Sequence, residues 1–452
     1  MRTLFEISKS GLKSAERSLS VTSNNIANAD TPGYTRQRVD KTPAGMQMGN
    51  YHTGLGVNIT SVSRLRNEMN DVLLNEKRQD MGYLKGKTEI FEQLEASMAS
   101  DSGGDLDLRL GRLFDNFSEL SAEPQDLSIR NNLVTEAQQL TGKLQDMSRS
   151  IGKTSDLVLE STGKSVGAIN DLLQDLSSLN SSITRGEAQN SPDHNSLDLQ
   201  VRKLEELSEL VDFDSLVTDN GTLEIRIGGI KVLDADKASV IRPEIDDVGK
   251  IYRLRLENGK TIHPTGGRLG AEIEMYEKEI PELKNRLDNI ASTLVEEFNT
   301  LHTQGYGLED DTVRNFFDPL GKTAADIRLN DAIINEPRHI AASSTIGEAG
   351  NGNMAADIAS LRNQSVIGGR KIVDFSIDLI STPGSNLSDL SSKMEARDSE
   401  IQMLHAQQER EAGVSIDEEL SLMIKYQNAY QGAAKVMSAA QQMYDTLISI
   451  VR

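Results

Sequence analysis

Apolar side chains recur at every seventh position near both ends of the chain. At the start they are Phe5, Leu12, Leu19 and Ile26, with Ser8, Ala15, Thr22 and Ala29 as small companions. At the finish they are Ile416, Met423, Tyr430, Met437, Tyr444 and Val451, accompanied by Leu420, Gln427, Ala434, Gln441 and Ile448. This spacing sets each group along one stripe of a helix and predicts two helices that pack along a seam. If they pair, Leu4, Ile7, Leu422 and Ile424 remain on the far side for neighbouring molecules. Thr3 with Glu6 and Ser415 with Glu418 read as capping boxes. Asp417, Glu418 and Glu419 crowd the first turn of the last helix, where the helix dipole favours negative charge. The first helix should stop before Pro32, and Thr31-Pro32-Gly33 reads as a turn.

Between the ends the period changes several times. Residues 35–61 hold Pro43 and four glycines among short polar runs and read as strand and loop. Helical spacing begins at Val62, Leu65, Met69 and Val72, continues to Leu94, and breaks at Asp101 to Gly104. A short helix follows through Leu106, Leu110, Phe114 and Phe117, ending at Glu123-Pro124. A long stretch through Leu133, Ala137, Leu140, Leu144, Met147 and Ile151 resumes at Ile169 and runs to Ile183. Another spans Leu269 to Leu294 and should kink at Pro281. Over residues 211–262 the period is two, as in Leu223, Ile225 and Ile227, with hairpin signals at Asn220-Gly221 and Asn258-Gly259. Glycines and prolines mark loops over 303–352, and helical spacing returns over Met354 to Ile380 and Leu387 to Gln408. No repeat of 20–50 residues is present, which argues against a solenoid.

The expected fold is therefore mainly α, elongated and multi-domain: coiled-coil-like terminal helices and a long-helix bundle with a small inserted β domain. The expected division is 1–45 with 411–452 as the terminal-helix domain, 46–205 with 266–410 as the bundle, and 206–265 as the insertion.

Composition narrows the functions available to such a chain. Its 452 residues suffice for two to four domains. A formal charge of −21 argues against nucleic acid or an anionic membrane as the main partner. The excess lies between the ends, since residues 1–40 carry six basic against four acidic groups and residues 411–452 three against five. With aromatic content of 4% and no Trp, the cores must rest mostly on aliphatic side chains, which suits thin helical bundles. The absence of Cys rules out a disulfide framework or thiolate metal site. Neither a cleavable signal nor an apolar run near the roughly 18 residues of a membrane span occurs, the profile of a soluble cytoplasmic protein or of one exported without a cleavable signal.

Chemical motifs fail on context. Five Gly-Lys-Ser/Thr triplets, at Gly86, Gly152, Gly163, Gly259 and Gly321, lack the earlier glycine of a phosphate loop, having Met81, Met147, Val158, Leu254 and Phe316 there. Gly163-Lys164-Ser165-Val166-Gly167 spells a nucleophile elbow inside a helical stretch with no strand before it. Gly350, Gly352 and Ala355 fit a dinucleotide fingerprint without a preceding strand and read as a loop opening a helix. The six histidines are scattered, and Asp246-Asp247 and Asp310-Asp311 lack cation-loop spacing. No catalytic, cofactor or metal role is expected, so the chain reads as a non-enzymatic interaction protein.

Ser23-Asn24-Asn25-Ile26-Ala27-Asn28-Ala29-Asp30-Thr31-Pro32-Gly33-Tyr34 resembles the signature of bacterial flagellar axial proteins. Thr35-Arg36-Gln37, Gly413 to Leu420 and Tyr426 to Gln431 are similar to the hook-associated protein 1 family, as are Asn195 to Leu210 and Glu296 to Gly305. The signature positions are Asn24, Asn25, Asn28, Thr31, Pro32, Gly33 and Tyr34. The resemblance implies a structural subunit of the hook–filament junction, assembled as a ring through its paired terminal helices. It further implies export through the flagellar type III channel, a chaperone on the C-terminal helix, and contacts with hook protein and hook-associated protein 3. The place of residence would be the extracellular flagellum after a transient cytoplasmic stage. With only about fifty β-type residues in the insertion, a second outer domain is not expected. Hook or distal-rod proteins share the ends but carry mostly β domains between them. A flagellum-borne hydrolase would need a substrate-binding insertion with a paired acid and base.

Overall fold

The computed structural model describes residues 2–48, 51–98, 106–189, 191–218, 222–246, 251–308 and 311–451. Asn220-Gly221, Asp101 to Gly104, Asp247 and Asp310 lie outside these. The chain is 67% helical, which settles the class as mainly α.

Helix α1 (Arg2–Ala27) leads into a long antiparallel hairpin, β1 (Gln37–Met48) with β2 (Tyr51–Arg64). Then come α2 (Glu68–Met98), α3 (Leu106–Ala122), α4 (Leu127–Ala188) and α5 (His194–Leu210). Two small antiparallel sheets follow: β3 (Asp214–Val217), β4 (Leu223–Ile227), β5 (Ile230–Asp234) and β6 (Lys237–Ala238), then β7 (Ile241–Asp246), β8 (Ile251–Leu256) and β9 (Thr261–Ile262). The chain returns through α6 (Gly267–Glu274), α7 (Ile280–His302), α8 (Asp331–Asn335), α9 (Asn353–Ser360), α10 (Ile372–Ala412) and α11 (Ile416–Val451).

Local chemistry explains the element ends. The Asp126 carboxylate accepts the amides of Ser128 and Ile129 and caps α4, and Asp193 does the same for α5 through Ser196. Between α6 and α7 the helix widens to a π turn at Met275–Glu279, immediately before Pro281. Proline carries no amide hydrogen to close an α-helical bond, and the wider turn absorbs the mismatch. Gly228 and Gly229, at φ +55° and +76°, form the two-residue turn between β4 and β5.

Several boundaries differ from the sequence expectation. Helix α1 already includes Thr3, so Thr3 is not its cap, whereas the Ser415 hydroxyl does receive the Glu418 amide at 3.4 Å. Val62 belongs to β2, not to the following helix. Helix α4 runs unbroken over 62 residues, carrying Gly163 to Gly167 in its interior. Helix α10 continues through Pro383, and the break lies earlier, where Gly368-Gly369 turn at positive φ. Residues 45/46, 205/206 and 410/411, chosen as domain limits, fall within β1, α5 and α10.

Two buried clusters organise the body. One joins the end of α2, α3, the first half of α4, α7 and residues 311–390, and it gathers Phe91, Phe114, Phe117, Phe298, Phe316 and Phe317, six of the nine phenylalanines. The aromatic scarcity of the chain is therefore not uniform: this one core is aromatic. The second cluster packs the other half of α4 and α5 against both small sheets and α6.

Candidate assembly site at the paired chain ends

Helices α1 and α11 pack antiparallel. A Cβ added at Gly11 would stand 3.4 Å from that of Ala433, while Asn25 at the other end of α1 reaches Glu419 in the first turn of α11. The β1–β2 hairpin covers a second side of α1, where the Ser10 hydroxyl receives the Val57 amide at 3.3 Å.

The buried faces are those of small residues. On α1 they comprise Ser8, Ser14, Ala15, Ser18, Val21, Thr22 and Asn25. The predicted stripe Phe5, Leu12, Leu19 and Ile26 is half-buried at their flank. On α11 the innermost positions are Glu419 and Ala440, seven-residue mates of half-buried Tyr426 and Ala433. Met423 and Met437 are half-buried, whereas Ile416, Tyr430 and Tyr444 are exposed. The Val451 side chain lies outside the described residues. On α1 the seam thus runs on the expected small companions Ser8, Ala15 and Thr22, and on α11 it is shifted by three residues to the row of Glu419, Tyr426, Ala433 and Ala440, where the small pair Gly11 and Ala433 allows close axial approach. Leu4 and Ile424 are exposed as expected of an outer face, but Ile7 and Leu422 are half-buried.

The motif residues form the lock at the end of this pair. Thr31 to Tyr34 is a type II turn: the Tyr34 amide reaches the Thr31 carbonyl at 3.1 Å, Pro32 takes the second position and Gly33 has φ +77°. A side chain at Gly33 would also meet Arg202 of α5 at 2.7 Å. Asn28 donates to the Asn24 carbonyl at 2.9 Å and accepts from the Thr31 hydroxyl at 3.2 Å, which holds the turn against the helix end.

Asn25, 1% exposed, fills its hydrogen-bonding capacity. Its Oδ1 accepts from the Tyr34 hydroxyl at 2.8 Å and the Gln37 amide at 3.0 Å. Its Nδ2 donates to the Gln37 carbonyl at 2.9 Å and to Glu419 at 3.1 Å. Asn24 donates to the Tyr34 oxygen at 3.2 Å. Burial, helped by Asp198 and Glu419, pushes the Tyr34 phenol up to about 12, so it stays a donor at neutral pH.

Residues outside the motif complete the lock. Glu419, 1% exposed, accepts Arg36 Nε at 2.7 Å, and the same guanidinium reaches Glu418 at 3.1 Å. Asp198 on α5 accepts the Thr35 hydroxyl at 2.8 Å and Arg64 of β2 at 2.8 Å. One polar cluster therefore ties α1, the hairpin, α5 and α11 together. Sequence reasoning placed Glu418 and Glu419 on the helix dipole and gave Asp198 no role. The available signal was Glu419 itself, an acid in seven-residue register with Tyr426, Ala433 and Ala440.

Among the described residues no group of three or more His, Cys, Asp or Glu is placed to hold a metal ion, and no helix is long and apolar enough to cross a membrane.

Both ends match flagellar rod-type modules. The first, "Flagella basal body rod protein", covers residues 5–35, and "Flagellar basal body rod FlgEFG protein C-terminal" covers residues 409–450. Between them, "Flagellar hook-associated protein FlgK helical domain" covers residues 91–317, half of the chain. The chain belongs to the flagellar hook-associated protein 1 family. It is 25% identical to flagellar hook-associated protein 1 of Bacillus subtilis (strain 168), over 98% of this chain and 97% of that one. It is 23% identical to the Escherichia coli (strain K12) protein of the same name, over the full length of both. Among solved structures, the flagellar hook junction protein FlgK from Burkholderia pseudomallei superposes with a TM-score of 0.65 at 12% identity, covering 74% of this chain and 99% of that one, which is a likeness of fold.

Proposed function

We propose that this chain is a structural subunit of the junction between hook and filament, and that its paired terminal helices are the means of self-assembly. The observation that carries the reading is the antiparallel α1–α11 pair: the ends of the chain are locked together by Asn25, Arg36 and Glu419, yet α11 keeps Ile416, Leu420, Ile424, Met443, Tyr444, Leu447 and Ile448 exposed. A single soluble subunit has no use for so long an apolar surface, whereas a ring buries it against neighbours. The terminal helices, with 1–64 and 413–451, act as one assembly domain, the helical body as a second and the two small sheets as a third.

Export runs through the flagellar type III route with the ends unfolded, and ordering follows when copies bury the stripes, since an isolated helix is marginal in water. The partners are further copies, hook protein, hook-associated protein 3 and a chaperone on α11. Leu19→Asp or Met437→Asp should leave the body folded, by circular dichroism, and abolish incorporation into the ring in cells. Normal incorporation of both variants would defeat the proposal. Removal of residues 416–452 should abolish co-purification with the chaperone, and retained binding would move that site elsewhere.

A further inference from the structure

A groove of about 650 Å³ opens between α1, β1 and α11, and none of the contacts described above fills it. Its walls include the small residues Gly11, Ala15 and Ala429, and its rim carries Lys41 and Lys425. Among the described residues neither lysine has a carboxylate partner. Lys41 stands 4.8 Å over the ring of Tyr426, and the one acid lining the groove, Asp40, is held by Arg38 at 3.2 Å and by the Ser61 hydroxyl. The opening is thus small-floored and cationic.

The complementary surface lies elsewhere on α11. Ile416, Leu420 and Ile424 are 46%, 45% and 59% exposed, and Asp417 beside them is exposed. At 3.6 residues per turn, this stripe sits roughly 160° around the helix from Lys425 and Ala429. A knob and its socket on opposite sides of one helix cannot meet within a molecule. Nor do they make a two-fold dimer, in which one patch faces itself; they generate a head-to-tail series.

We propose that the Ile416–Leu420–Ile424 stripe of one copy seats in the α1–β1–α11 groove of the next, with Asp417 set against Lys41 and Lys425. The inference rests on the reading that this chain assembles through its ends, and it fixes which surfaces meet and in what sense.

The absence of native cysteine makes the test clean. In Leu420→Cys/Ala429→Cys the two thiols of one chain are about 13.5 Å apart along the helix and on different faces, beyond the roughly 7 Å Cα limit of a disulfide. Oxidation of the assembled full-length double variant should give a ladder of dimers, trimers and larger species on a non-reducing gel, and either single variant should give none. Lys41→Glu/Lys425→Glu should cut the ladder at least tenfold, and adding Asp417→Lys should restore it. Dimers from Leu420→Cys alone would mean stripe-to-stripe pairing and would overturn the proposal. Assembly by light scattering without a ladder would overturn the groove assignment and leave end-mediated assembly standing. A chain that stays monomeric alone and with isolated hooks would remove both.

Discussion

Acid should loosen the body of the molecule through one imidazole. His302 closes α7 and is fully buried, with Nδ1 2.6 Å from the Arg314 carbonyl and Nε2 2.9 Å from the Ala341 amide. A carbonyl can only accept and an amide can only donate, so the ring is neutral with its proton on Nδ1. A second proton on Nε2 would set two donors against each other at Ala341. Burial holds the group down at about 4, with the nearby charges of Arg130 and Arg314 acting in the same direction and the Arg314 carbonyl opposing them. In the unfolded chain the value is about 6.5. Below that pH the unfolded chain takes up a proton that the folded one refuses, so stability is complete above about 6.5 and falls as pH drops toward 4. The full shift corresponds to about 3.4 kcal/mol, of which about 2 kcal/mol is lost between pH 6.5 and 5. His194, also held low chiefly by burial, contributes in the same sense, so the wild-type slope alone does not isolate His302. His302→Gln gains no proton in this range. Urea unfolding followed by circular dichroism should show the wild type losing about 2 kcal/mol relative to His302→Gln from pH 6.5 to 5. Parallel pH dependences for the two proteins would refute the argument.

Two further outcomes follow from buried polar contacts. Arg130, 1% exposed, donates to the carbonyls of Pro124 and Ile340 at 2.7 Å, and Arg130→Met should orphan both and cost about 3 kcal/mol, read as a lower urea midpoint; an unchanged midpoint would show that water replaces the guanidinium. Glu419→Ala removes the acid shared by Asn25 and Arg36, and because Arg36 keeps Glu418 the loss should sit near the low end of a broken buried pair, about 3 kcal/mol. That is roughly a hundredfold higher concentration needed for ring incorporation, and incorporation at the wild-type concentration would show that the lock is dispensable.

Where bulky side chains repeat, the sequence disclosed the elements; where small or polar ones do the packing, it hid them. The gap between Ile151 and Ile169 is no break in α4, since its inner face is continued by Thr154, Val158, Thr162 and Ser165, all buried. The threonine hydroxyls satisfy themselves on carbonyls four residues back, Thr154 at 3.2 Å and Thr162 at 2.7 Å, so they bury without a tertiary partner. A hydrophobicity count cannot register such a face. The β region was legible from its alternation and from Asn258-Gly259, which turns the chain between β8 and β9 with Gly259 at φ +82°, whereas the Gly228-Gly229 turn carries no Asn-Gly signal. The motif was legible as a pattern, but the contact of Asn25 with Glu419 and that of the adjoining Thr35 with Asp198 span 394 and 163 positions of sequence, and no local periodicity reports them.

The displaced seam bears most directly on how the ends act. A stripe of Phe, Leu and Ile draws attention because it has the most apolar area to lose from water, but area does not decide which face one partner helix takes. Two helices gain most dispersion where their axes come closest, and only small side chains permit that approach, as at Gly11 against Ala433. The pair therefore closes on Ser8, Ala15, Thr22 and Ala440 and leaves Phe5, Leu12, Leu19 and Ile26 along its margin, half in water. Had the large residues formed the intramolecular seam, the pair would be satisfied by itself and the outer surface would be polar. With the small ones inside, part of the apolar area of both ends stays unspent after the chain has folded, and further copies of the chain offer the surface that can cover it.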